Sequence, residues 1–229
     1  MENKSDVRFL NVLIQMGEAL QNSGAEIYRV EDTLNRIGYA YGAEEMNVFV
    51  ITSSIIITMK MPGKESLTQT RRLRKAGEND FVKLEELNEL SRQICSKQIA
   101  TEELEEKLKQ ILSRKSSDKM LLCGNILAAA SFAVFFGGSI WDFLVAGIMG
   151  AVIWILGKYM APMCLNSVAY QIAVSFLGGV GICVISKIFP ILHMDKIMIG
   201  DIMLLIPGLM FTNAIRDVLL GDTISASMR

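Results

Sequence analysis

The apolar positions of the chain first recur at helical spacing. Val7, Leu10, Leu13, Ile14, Gly17 and Leu20 predict one helix, which the Asn22-Ser23-Gly24 cluster ends. Ile27, Val30, Leu34, Ile37 and Tyr41 make the apolar stripe of a second helix, with Arg29, Asp32 and Arg36 together on its opposite face, spaced so that they can pair. The period then changes. NVFVIT (47–52) and SIIITMK (54–60) are β-branched and aromatic runs with a break at Ser53-Ser54, and Pro62-Gly63 closes the second. They predict two buried strands, and SLTQTRRLRK (66–75) adds a third. From 84 to 114 the helical pattern returns, broken near Ala100-Thr101, where Thr101, Glu102 and Glu103 resemble a helix start. Helices, strands, helices describe a small α+β domain.

Beyond Met120 the pattern is different in kind. Four long apolar runs, 120–136, 140–156, 167–188 and 197–215, each approach the ~20 residues that cross a hydrocarbon core. The fold class expected is therefore a membrane protein: an α+β cytoplasmic domain over 1–118, then a transmembrane helical bundle of four visible spans over 119–229. Charge sharpens the boundary. Residues 1–118 hold 17 Lys/Arg and 19 Asp/Glu, and residues 119–229 hold 6 and 5, an asymmetry hidden by the net charge of -1. Arg114, Lys115 and Lys119 precede the first span, Lys158 lies between the second and third, and Arg216 and Arg229 follow the fourth. The first outer turn, Gly137-Gly138-Ser139, has no basic residue, although Lys187 and Lys196 flank the other. The balance places the amino terminus inside a multi-pass cell-membrane protein, and MENKSDVRFL does not read as a cleaved export signal.

Composition removes most catalytic chemistry. Cys95, Cys123, Cys164 and Cys183 show no CxxC spacing and read as reduced packing residues; His193 is the one histidine. With no nucleophile–histidine pair, phosphate-cradling glycine loop or metal-ligand cluster, neither an enzyme nor a cofactor is expected. Arg71, Arg72, Arg74 and Lys75 suit either anionic headgroups or a charge-guarded edge strand. Without interleaved aromatic residues they do not suit nucleic acid. In the membrane half, Gly147 and Ala151 form a small-xxx-small pair. Ser167, Gln171, Ser175 and Gly179 recur at four-residue intervals beside a Gly178, Gly179, Gly181 patch, as a helix seam or as one wall of a polar pathway.

The fourth run, IMIGDIMLLIPGLMFTNAIRDVLLGD, is the unusual one. Asp201 is costly on a lipid-facing surface. Pro207 lacks an N–H and clashes with the Met203 carbonyl, so the helix should kink or unwind, and Gly208 permits it. In a continuous helix Asp201, Gly208 and Thr212 would share a face, with Asn213, Arg216 and Asp217 following. Broken helices expose half-helix ends that bind small ions and zwitterions in secondary transporters. A half-helix from Gly208 would aim its positive end at a substrate carboxylate, with Asp201 left for an amino group or a proton. A structural kink with Asp201 near the headgroups is the other reading.

GAEIYRVEDTLNRIG (24–38) and LIPGLMFTNAIRDVLLGD (205–222) together resemble the threonine/serine exporter (ThrE-like) family, in its amino-terminal module of cytoplasmic domain plus spans. By that resemblance Glu26, Tyr28, Arg29, Glu31, Asp32 and Arg36 fall in the cytoplasmic motif. Pro207, Gly208, Asn213, Arg216, Asp217, Gly221 and Asp222 fall in the membrane motif. The resemblance implies proton-motive-force-driven export of threonine- or serine-like metabolites, with dicarboxylates linked to split two-subunit members. It also implies a further span after the GD segment, where this chain reads GDTISASMR, so that either a fifth helix has been cut off or this member has four spans. Four spans are few to enclose an alternating-access site, so a second small membrane subunit or another copy is expected, alongside membrane lipid. Two rival readings are a membrane-anchored sensor or hydrolase using Glu26, Glu31 and Asp32 beside Arg29 and Arg36, and an accessory subunit. The Arg29–Asp32–Arg36 face is expected to meet the membrane half or a neighbouring subunit.

Overall fold

The computed structural model describes residues 2–73, 79–115, 117–160, 163 and 167–228. Arg74, Lys75, Cys164, Arg229 and the Ser167 side chain, which enter the readings above, lie outside what is described. The chain divides into two compact units: Met1–Lys115 with Leu209–Arg229, and Ser116–Gly208. The carboxy-terminal stretch, which the charge step assigns to the membrane half, thus groups with the amino-terminal unit.

In the first unit, α1 (Glu2–Asn22) and α2 (Ile27–Ala40) precede β1 (Glu45–Ile51), β2 (Ser54–Lys60) and β3 (Leu67–Arg72), then α3 (Phe81–Ser96) and α4 (Thr101–Ser113). The strands form one antiparallel meander in the order β1-β2-β3, with Ile51 opposite Ser54 and Met59 opposite Leu67. The period-two pattern of β2 turns Ile55, Ile57 and Met59 inward, all at most 1% exposed. They share one core with Leu13, Ile14 and Leu20 of α1, Leu34 and Ile37 of α2, and Leu87, Ile94 and Leu104 of α3 and α4. At Gly17 an added Cβ would lie 2.8 Å from Leu34 Cδ1, so glycine lets α1 approach α2 closely. α3 is capped by Asp80, whose Oδ1 accepts the Lys83 N–H at 3.1 Å. α4 begins at Thr101 without a side-chain cap, its first turn carrying Glu102 and Glu103. Arg71 on the edge strand β3 reaches Glu18 at 3.5 Å.

In the second unit, α5 (Asp118–Phe135), α6 (Ile140–Met160), α7 (Ser167–Ile188) and α8 (Met194–Leu205) follow, and α9 (Gly208–Leu219) and α10 (Thr223–Met228) return to the first. Among the described residues three helices are long and apolar enough to cross a membrane, 118–135, 140–160 and 169–188, and a fourth span exists if α8 and α9 count as one bent pair. α5 meets α6 and α8 through small residues. A Cβ at Gly150 would stand 2.8 Å from Ala129 Cβ, and one at Gly200 2.7 Å from the Ala129 carbonyl oxygen. The seam on α6 therefore runs through Gly147 and Gly150, with Ala151 only half-buried. On α7 the buried line is Val174, Gly178 and Ile182, one register from the Gln171–Ser175–Gly179 stripe. Cys95 and Cys123 are exposed and Cys183 half-buried, so exposure, not packing, describes the first two.

Candidate functional site

Two groupings of polar residues stand out, one in each unit. The first arises because α2 and α9 belong to the same unit. α1 ends in a Schellman turn at Gly24, whose φ of +99° an L side chain rarely adopts, with the Ala25 N–H donating to the Leu20 carbonyl at 3.0 Å. That turn delivers Glu26 to the start of α2. The Arg216 guanidinium of α9 donates to Glu26 Oε1 and lies over the Tyr28 ring, 5.9 Å from its centroid. Glu26 Oε2 is buried and has no hydrogen-bond partner among the described residues. Arg29, one turn on, borders a cleft of about 210 Å³ that also takes in Thr33, Asn88 and Asn213.

The rest of the two motifs surrounds this contact. Glu31 Oε1 accepts the Val50 N–H at 2.8 Å; burial pushes its carboxyl above the usual range, the hydrogen bond opposes that shift, and Asp222 adds to it. Gly221, at φ +87°, ends α9 with the Asp222 N–H donating to the Asp217 carbonyl at 2.9 Å. Asp222 Oδ1 then accepts the Ser225 N–H at 3.1 Å, and Thr52 Oγ1 donates to the Ser225 carbonyl at 3.1 Å. Asn213 and Asp217 are buried, while Thr212 is exposed. Asp32 and Arg36 are exposed and pair with each other at 3.0 Å, as a solvated helix face would. Of the cytoplasmic motif, Glu26, Tyr28, Arg29 and Glu31 thus meet the α9–α10 segment in contact, cleft or field, and Asp32 and Arg36 do not.

The second grouping lies in the membrane unit. Asp201 on α8 is 4% exposed, and neither carboxylate oxygen has a hydrogen-bond partner among the described residues. It borders a cavity of about 110 Å³ with Ser175, Gly178 and Gly179 of α7 and Ile153 of α6; Ser175 is itself exposed, and Gln171 of the α7 stripe does not line the cavity. The chain breaks where proline requires it. α8 stops at Leu205, Ile206 is extended at φ -72° and ψ 122°, and α9 restarts at Gly208. The shared face expected for Asp201, Gly208 and Thr212 presupposed a continuous helix, and the break removes that phase relation.

One constellation was not singled out from the sequence. Asp142, fully buried at the start of α6, accepts the Ser139 N–H at 2.7 Å, the Ser139 hydroxyl at 2.8 Å and the His193 N–H at 2.8 Å, with His193 Nδ1 at 2.9 Å. The S-x-x-D capping spacing at Ser139–Asp142 was the available signal; the tie to His193 joins two turns 51 residues apart. Among the described residues no cluster of His, Cys, Asp or Glu could hold a metal.

Apolar helices of spanning length, a broken fourth segment and a buried carboxylate between helices define a multi-pass membrane protein with a folded α+β unit. The family model of ThrE, described as "Putative threonine/serine exporter", matches residues 11–229. The chain belongs to this exporter family. No curated protein and no solved structure matches it.

Proposed function

We propose that the chain is a subunit of a secondary transporter that exports small polar metabolites of the threonine/serine type, driven by the proton motive force. The carrying observation is Asp201, an unpartnered carboxylate buried in the apolar unit beside a cavity. A carboxylate in that setting demands a ligand, and the described lining offers one hydroxyl, Ser175, besides it. A hard metal cation needs six or so oxygens, whereas a proton needs one carboxylate, which supports proton coupling. The break at Ile206–Pro207 supports alternating exposure, since unwound backbone at membrane depth must face protein, water or ligand. The amino-terminal unit lies in the cytoplasm in this reading, by the basic residues flanking the spans, and a second small membrane subunit or another copy completes the pathway.

The test is flux of labelled threonine, serine and succinate from proteoliposomes, with and without a pH gradient. Asp201→Asn at matched reconstitution should lower gradient-driven flux at least tenfold. Wild-type flux with unchanged pH dependence would remove Asp201 from the mechanism, and succinate moving in place of the amino acids would select the dicarboxylate reading. Orientation is checked by labelling Glu85→Cys and Ile191→Cys, both exposed, in a background without the native cysteines. Only Ile191→Cys should react with an impermeant reagent from outside.

A further inference from the structure

We propose that the cleft bordered by α2, α3 and α9 binds a small zwitterion carrying an ammonium and a carboxylate on one carbon. Three observations within the amino-terminal unit carry this. Asn213 is 5% exposed and borders the cleft. Glu26 also borders the cleft; Arg216 holds its Oε1, while Oε2 is buried and unpaired. Arg29 supplies a guanidinium with no ion-pair partner among the described residues, and α2 begins at this cleft without a side-chain cap on its first N–H groups.

These groups differ in what they accept. Arg29 and the uncapped start of α2 suit a carboxylate. Glu26 Oε2 accepts hydrogen bonds and carries negative charge, so it suits an ammonium. Asn213 both donates and accepts, which suits a hydroxyl or the carboxylate edge. Glu26 stands at the N-cap of α2 and Arg29 in its first turn, and both border the cleft. A ligand that satisfies both must therefore hold its two charges close together. A volume of about 210 Å³ limits it to a short side chain, and Leu20, Val30 and Leu84 give that side chain an apolar wall. A dicarboxylate would set its second negative charge against Glu26. The inference rests on the exporter reading only for the choice of threonine and serine as probes.

The test is equilibrium binding of labelled L-threonine and L-serine to the purified full chain in detergent, with no gradient present. Saturable binding is expected, displaced by unlabelled threonine but not by N-acetylthreonine, threoninol or succinate. Arg29→Gln, an exposed substitution, should weaken binding at least tenfold, the loss expected for one charge-assisted hydrogen bond. Glu26→Gln should weaken threonine binding while relieving the exclusion of N-acetylthreonine. Absence of saturable binding, succinate competing as well as threonine, or unchanged affinity in Arg29→Gln would each overturn the proposal. Binding without gradient-driven flux would leave the cleft and sink the exporter reading. Flux without binding would do the reverse.

Discussion

The two units are held together by different means. In the amino-terminal unit large side chains fill the space between helices and sheet: Leu13, Leu34, Ile37, Ile55 and Leu104 are all fully buried. In Ser116–Gly208 the closest approaches are made by Ala129, Ala130, Ala133, Gly150 and Gly200, while Leu127, Phe135, Ile172 and Phe176 are exposed. Water drives the first arrangement, because each buried large side chain removes apolar area from solvent. Lipid is as apolar as leucine, so helices within it gain little by burying leucine and associate through close backbone approach and hydrogen bonds. α9 follows neither rule. It belongs to the amino-terminal unit but buries Asn213 and Asp217 and exposes Phe211, Ile215 and Leu219. Such an inverted face suits a segment that answers to protein on one side and to lipid on the other.

The comparison breaks most visibly in the large-residue core. Leu34→Ala should destabilise the amino-terminal unit by about 2–5 kcal/mol, read as loss of amide hydrogen-exchange protection in α1, α2 and β2 with α5 and α6 unchanged. Equal loss in both units would mean that they do not unfold separately. The glycine seam sharpens the contrast. At Gly200 an added Cβ would meet backbone at 2.7 Å, whereas at Gly178 the nearest atom is Ile153 Cγ1 at 3.9 Å. Gly200→Ala should cost about 1–3 kcal/mol by overpacking and Gly178→Ala close to nothing, by thermal unfolding in detergent. Matching losses would place the seam elsewhere.

Asp142→Asn tests polar glue in the apolar unit. Asparagine keeps one acceptor oxygen for bonds now shared by two, so a loss of about 1–3 kcal/mol is expected, with exchange protection falling at both turns. An effect confined to the first turn would show that the His193 contact contributes nothing.

The smallest effect concerns Glu31. Its folded pKa is raised, so the folded state holds its proton more tightly and binds more protons than the unfolded chain above about pH 4.3. Stability from this group therefore falls as pH rises from there through the raised folded value. Glu31→Gln keeps an acceptor for the Val50 N–H and should flatten that slope without destabilising at neutral pH, measured by exchange or denaturant midpoints at several pH values. A steeper slope would reverse the assignment.

Much of this protein was legible in the chain. Stripes at 3.6 residues placed α1 and α2, β-branched runs placed β1 and β2, and apolar length placed α5 to α7, because each pattern records a local demand for burial. Pro207 marked the break, since a missing N–H acts on its own helix whatever the surroundings. The two motifs at 24–38 and 205–222 were readable as segments, but nothing local says that Arg216 meets Glu26, a pairing across 190 residues. Nor does spacing reveal which polar atoms remain unpaired: Asp32 and Arg36 satisfy each other on one turn, while Glu26 Oε2 and the Asp201 carboxylate have no hydrogen-bond partner among the described residues. Whether a buried polar atom has a partner depends on what distant elements bring to it. Tertiary packing therefore decided the grouping of α9 with the amino-terminal unit, the Asp142–His193 tie and the unpaired oxygens of Glu26 and Asp201, where the sequence by itself determined the elements they stand on.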